Sequence, residues 1–170
     1  MSMHKVILVR HAKAAATSPG TDEKRPLSAA GREQARALGA KLRSEIHQLD
    51  EVFVSPALRA QQTWEEMAQG AGLPEGVPPH VHTEDIIYDG SSPQILDLVR
   101  GKSKGYASMV VGHEPTISST AVLAVVEGEA GEVEWGMPTG SAAIVEYDGD
   151  WGKWKDHVAT LATFVHVSHK

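Results

Sequence analysis

The stretch Val6-Ile7-Leu8-Val9-Arg10-His11-Ala12 decides how this chain is read. Four aliphatic residues in a row have the length and composition of a strand, and the run ends abruptly in an arginine and a histidine. Similar apolar, β-branched runs lie further along at Val52-Phe53-Val54, around Val81, at Met109-Val110-Val111, at Ala143-Ile144-Val145 and from Val158 to Phe164. Helical patterns separate the early ones. Ala35, Leu38, Leu42 and Ile46 recur at three- and four-residue spacing and predict an amphipathic helix from about Ser28, its N-cap, to Gln48. A second helix is expected from Ala57 to Gly70, with Ser55 as cap and Pro56 in its first turn. A third is expected over Pro93 to Arg100 and a fourth over Pro115 to Val126. Strands alternating with helices imply βαβ units, hence an α/β fold with a largely parallel sheet covered by helices. The last two strand runs lack an intervening helix, which makes part of the sheet antiparallel.

Composition narrows the function. The 170 residues suit one domain spanning 1–170, with no repeat and no linker. The chain has no cysteine, which removes disulfides, thiolate metal sites and cysteine nucleophiles from consideration. A formal charge of -6 argues against a nucleic-acid partner, which would require a basic face. No apolar run has the ~18 residues that span a bilayer, and the first strand begins too early for a signal peptide, so a cytoplasmic protein is expected.

In open α/β sheets ligands bind beyond the carboxyl ends of the strands. Arg10-His11-Ala12 follows the first strand, Ser55-Pro56-Ala57-Leu58-Arg59 the second, and Gly112-His113-Glu114-Pro115 the run at Met109. Two arginines, two histidines and two helix N-termini thus converge on one sheet edge, which is an anion site by construction. A neutral histidine there can attack phosphorus, provided its other ring nitrogen donates to a fixed acceptor. Positive neighbours keep it neutral and stabilise charge on the equatorial oxygens of the transition state.

Four segments, taken in order, closely resemble the histidine phosphatase superfamily. They are Ile7-Leu8-Val9-Arg10-His11-Ala12-Lys13-Ala14, Asp22-Glu23-Lys24-Arg25-Pro26-Leu27-Ser28, Ser55-Pro56-Ala57-Leu58-Arg59-Ala60-Gln61-Gln62-Thr63 and Val111-Gly112-His113-Glu114-Pro115-Thr116. Within it the chain looks like the small SixA-type phosphohistidine phosphatases. The resemblance implies a phosphoglycerate mutase-like three-layer sandwich, with a mostly parallel six-stranded sheet, one antiparallel strand and helices on both faces. It implies that His11 is the transiently phosphorylated nucleophile and that Arg10, Arg59 and His113 complete the phosphate pocket, with Asp22 and Arg25 near its mouth. No metal and no diffusible cofactor are implied. Ala12, where most of the superfamily has glycine, argues against a mutase. The short segment from Ala71 to His82 leaves no room for a helical lid. An open pocket suits phosphate displayed on a protein surface.

The general acid is open among Glu84, Asp85, Asp22 and none, with Glu84 the best-placed candidate because larger members use a glutamate in this region. The expected activity is metal-independent hydrolysis of phosphohistidine in a protein such as a histidine-containing phosphotransfer domain. The alternatives are a broad small-molecule phosphomonoesterase and a non-catalytic phosphate- or phosphopeptide-binding module. Other residues have ordinary readings. Thr139 and Ser141 are turn residues, and His80 and His82 are solvent-facing with no acidic partner at ligand spacing. Trp135, Trp151 and Trp154 pack under loops or form an aromatic rim. The loops 14–26 and 127–140 carry substrate choice.

Overall fold

The computed structural model describes residues 3–18 and 20–169, so Pro19 of the expected 14–26 loop lies outside the described residues. Six strands, β1 (Met3–Arg10), β2 (Glu51–Val54), β3 (His80–Thr83), β4 (Ala107–Gly112), β5 (Ser141–Asp148) and β6 (Thr160–His166), form one sheet in the order β3-β2-β4-β1-β5-β6. The sheet is mixed. β3, β2, β4 and β1 pair in parallel, whereas β5 runs antiparallel to both β1 and β6. The expectation of a mostly parallel sheet holds in part: three of the five pairings are parallel, and the two antiparallel ones both involve β5, the one strand that runs against the rest. The cause lies in the connections: a crossover helix is needed only where the chain must return to the same end, and β5 reaches β6 through a short turn and a 3-10 segment at Trp151–Lys153.

The helices are α1 (Ala29–Lys41), α2 (Arg43–His47), α3 (Leu58–Gly70), α4 (Ile86–Asp89), α5 (Ser92–Lys102) and α6 (Thr116–Ala124). Ser28 caps α1 as expected, its Oγ accepting the Gly31 amide at 3.0 Å. The single helix expected to Gln48 instead breaks at Leu42, whose φ of -98° and ψ of 18° leave the helical region. The offset keeps Leu42, Ile46 and Leu49 buried in one cluster as the chain turns toward β2.

Side chains alternate across the sheet and give it two cores. Ile7, Val9, Val52, Val54, Met109 and Val111 face α1 and α3. Val6, Leu8, Phe53, Val110, Ala143 and Val145 face α5 and α6. Backbones of α1 and α3 nearly touch: a Cβ on Gly39 would lie 2.1 Å from the Met67 carbonyl, and one on Gly70 1.9 Å from that of Arg36. Trp151 and Trp154 are buried as expected, but Trp135 is 89% exposed. Among the described residues no helix is long and apolar enough to cross a membrane.

Strand register sets up the site. Arg10 pairs with Gly112 and with Ser141, and Val54 pairs with Val111, so the carboxyl ends of β1, β2 and β4 finish level. His11, Ser55 and His113 leave the sheet side by side.

Candidate active site

His11 is 7% exposed, and its Nδ1 lies 2.7 Å from the Ala12 carbonyl oxygen. A carbonyl only accepts, so Nδ1 carries the proton and Nε2 holds a lone pair. Burial lowers the pKa of the ring to about 4, assisted by the positive fields of Arg59, Arg10 and Arg25 and opposed by the bond to Ala12. The ring is therefore neutral at physiological pH.

Its acceptor is held from the side. The Ala12 amide donates to Thr63 Oγ1 at 3.0 Å, and that hydroxyl donates to the Arg59 carbonyl at 2.7 Å. One threonine on α3 thus ties the loop after β1 to the turn that carries Arg59. Gln34 braces the same loop, accepting from the Lys13 amide at 2.9 Å and donating to the Thr139 and Val167 carbonyls at 2.9 and 2.7 Å. Gly140, at φ +69°, donates to the His11 carbonyl at 3.1 Å, and a Cβ there would strike Gln34.

His113 lies across the pocket, its ring centroid 5.3 Å from that of His11 and its Nε2 2.8 Å from Ser55 Oγ. Its pKa falls to about 3, first through burial and then through the fields of His11 and Arg59. Arg59, 5% exposed, does not pair with Glu65 or Glu66 on its own helix. It donates to Asp22 through Nη1 to the backbone carbonyl at 2.9 Å and through Nη2 to Oδ2 at 3.0 Å. Arg10 Nη1 donates to the Met137 carbonyl at 2.8 Å. The Met137 amide in turn donates to Glu114 Oε2 at 3.0 Å. Both arginines keep a buried Nε without a hydrogen-bond partner among the described residues. Orphaned buried donors are costly and call for an acceptor.

Of the residues singled out in the sequence, His11, Arg10, Arg59 and His113 come together, with Asp22 and Arg25 beside them. Arg25 reaches Asp22 Oδ1 through Nη2 at 3.2 Å. Glu84 does not join them: its carboxylate pairs with Lys102 at 2.9 Å, in a separate groove shared with Ile86, Gln94, Asp97 and Leu98. Asp85 is exposed and precedes α4 without capping it. Asp22 is unsuited to donate a proton, because the Tyr88 hydroxyl and then Arg59 and Arg25, against the opposing effect of burial, hold its carboxyl below the ordinary range.

Tyr88, Thr63, Gln34 and Glu114 are positioned at or around the site without having been singled out for such a role. Tyr88 gives no local signal: it lies in a four-residue helix, donates to Asp22 Oδ2 at 3.0 Å and sets its ring edge-on to His113 at 5.5 Å. Thr139 lies in the turn before β5 as read, and Ser141, the first residue of β5, closes that turn by donating to the Pro138 carbonyl. His80 and His82 are solvent-facing, but the absence of an acidic partner is corrected. Glu51 on β2 lies 2.6 Å from His82 and 3.8 Å from His80, because parallel pairing sets it opposite His80. Among the described residues no group of three or more His, Asp or Glu has the geometry to hold a metal ion.

Residues 6–84 match the model of the histidine phosphatase superfamily (branch 1). The phosphohistidine phosphatase SixA of Escherichia coli is 31% identical over 117 residues, which cover 66% of this chain and 69% of that protein. The chain belongs to the histidine phosphatase superfamily. It is a SixA-type member: a structure from Nakamurella multipartitia, provisionally assigned as the phosphohistidine phosphatase SixA, superposes with a TM-score of 0.84 at 28% identity over 98% of this chain and 97% of that one. The Mycobacterium tuberculosis protein Rv1276c is 29% identical over 165 residues, 94% of this chain and 99% of that protein. Membership in the histidine phosphatase superfamily supports a phosphatase, a hydrolase of phosphoryl groups.

Proposed function

We propose that this chain, as one histidine phosphatase domain over residues 1–170, removes the phosphoryl group from phosphohistidine in a protein through a phospho-His11 intermediate. The observation that carries the reading is the His11 ring: Nδ1 bound to the Ala12 carbonyl at 2.7 Å, a free lone pair on Nε2, and a pKa of about 4 among arginines. In the first step His11 Nε2 attacks phosphorus and the bond to the leaving group breaks. The guanidinium groups of Arg10 and Arg59, whose fields reach His11, and His113 hold the equatorial oxygens as charge builds on them. In the second step water attacks phospho-His11, the N–P bond returns its electrons to the ring, and the water proton leaves with phosphate. The arginines supply the charge that a metal ion supplies elsewhere. No helix stands between α3 and β3 among the described residues, which leaves the pocket mouth open to a phosphate on a protein surface. The E. coli relative is named for phosphohistidine hydrolysis, and that substrate class carries over to this reading.

The test is phosphate release in excess EDTA from a phosphohistidine-bearing phosphotransfer domain and from an aryl phosphate, by wild type and His11→Ala. Wild type is expected to prefer the phosphoprotein and to trap label on His11 on rapid quench, with His11→Ala slower by about 10³-fold or more. Normal turnover by His11→Ala overturns the reading.

A further inference from the structure

We propose that Asp22 and Tyr88 form a leaving-group reader: the Asp22 carboxylate accepts the N–H of the substrate imidazole, so the ring departs neutral and no general acid is needed. This rests on the phospho-His11 reading above and concerns how that site selects its leaving group.

The placement is specific. Asp22 is bound to Arg59, the pocket arginine, through both its carbonyl and Oδ2. The same Oδ2 accepts from Tyr88, whose ring meets His113 edge-on. The pair therefore runs from the Arg59 side of the pocket to the His113 side. Arg25 occupies one flank of Oδ1. A carboxylate offers about four acceptor positions, Arg25 approaches Oδ1 through both Nε and Nη2 at 3.3 and 3.2 Å, and the Asp22 side chain is still 54% exposed, so a substrate N–H reaches Oδ1 by sharing it with Arg25.

Electrostatics then select the partner. The hydroxyl of Tyr88 and the guanidinium groups keep Asp22 ionised at neutral pH, which makes it an acceptor. An ionised carboxylate only accepts, so it has no hydrogen bond to offer a departing aryl or alkyl oxide, on which negative charge grows. It attracts a ring that bears a proton. Phosphoimidazole protonated on its far nitrogen is such a group. As His11 Nε2 forms its bond to phosphorus, the P–N bond of the substrate breaks, its electron pair returns to the ring, and the far N–H stays in place. Neutral imidazole leaves and no proton passes to or from the protein. This accounts for a site in which Glu84 is turned toward Lys102.

The experiment uses the intact protein with phosphoimidazole, its N-methylated counterpart, which has no N–H, and an aryl phosphate. Wild type, Asp22→Asn and Tyr88→Phe are compared by kcat/KM, with circular dichroism as a folding control. Asp22→Asn is expected to lower the preference for phosphoimidazole over the methylated ring by about 10- to 100-fold, the range of a charge-assisted hydrogen bond. It should cost the aryl phosphate less than the phosphoimidazole. Tyr88→Phe, at a side chain 36% exposed, shifts the same ratio in the same direction by a smaller factor. Equal losses on all three substrates overturn the proposal, since they mean that Asp22 only steadies Arg59. A wild type that labels His11 from the aryl phosphate and ignores phosphoimidazole overturns the phosphohistidine reading itself, and the reader falls with it.

Discussion

Lowering the pH tests the electrostatics of the site directly. The folded His11 ring titrates at about 4, against an ordinary value of 6.5, because burial and three arginines oppose its charge. A histidine with a depressed folded pKa takes its proton in the unfolded chain first. Its contribution to stability is therefore intact above pH 6.5 and is lost as the pH falls from 6.5 toward 4. Each tenfold difference in proton affinity between the folded and unfolded chain is worth about 1.36 kcal/mol, so wild type loses about 3 kcal/mol between pH 7.5 and pH 4 through this ring alone. His11→Gln has nothing there to titrate. Urea denaturation of both proteins at the two pH values is the assay, and the difference in stability between them should change by about 3 kcal/mol in favour of His11→Gln at the lower pH. The same depressed pKa places the acid limb of kcat/KM for an aryl phosphate well below 6.5, after correction for substrate ionisation. A stability difference that does not change with pH, or an imidazole resonance of His11 titrating near 6.5, refutes the reasoning.

Glu114→Ala removes the acceptor of the Ser118 and Met137 amides, at 2.7 and 3.0 Å, and with it the support of the carbonyl that holds Arg10. It should cost about 2 to 4 kcal/mol in urea and lower kcat/KM by about 10-fold, with Glu114→Gln in between. Gly39→Ala gains about 1 kcal/mol of helix propensity but sets a methyl against backbone at α3, and should lose about 1 to 3 kcal/mol net, read as a lower urea midpoint. Glu84→Gln should leave kcat on phosphohistidine within about 3-fold of wild type, because its carboxylate pairs with Lys102; a 100-fold loss would return Glu84 to the site as an acid.

The fold was legible where periodicity is strong and the chemistry where residues follow strand ends. Val6 to Val9 reads as a buried strand because both faces of β1 are covered, and His11 and His113 are found by asking what comes next along the chain. That part of the sheet is antiparallel was read from the missing helix between the last two strands, but which strand reverses was not, since strand direction is set by connections that leave no periodic trace. Asp22 stood out through a sequence pattern. Its partner Tyr88 did not, because the two are brought together from 66 residues apart by the return of the chain through β2 and β3. The misreading of Glu84 has the same origin. Position after β3 puts its backbone near the pocket edge, but side-chain direction is decided by Lys102 on α5, which local sequence does not reveal. Glu51 was missed beside His80 and His82 because parallel register is a property of two strands and not of either one.

His11, Arg10 and Arg59 are each held through a backbone carbonyl and His113 through the Ser55 hydroxyl, and this is what allows a site at the loop ends of the sheet to be stiff. His11 is oriented through the Ala12 carbonyl, whose own amide is fixed by Thr63 on α3. Arg10 is fixed through Met137, whose amide is held by Glu114 at the start of α6. Gln34 on α1 joins the loop after β1 to the loop before β5. The loops at the strand ends are thus fastened to α1, α3 and α6, which are anchored in the two cores. A transition state stabilised by charge requires donors that do not reorganise when the charge appears. In a pocket without a closing helix, that preorganisation comes from the buried faces of the helices. Packing changes such as Gly39→Ala should therefore reach the chemistry through α1 and α3, lowering kcat more than they raise KM.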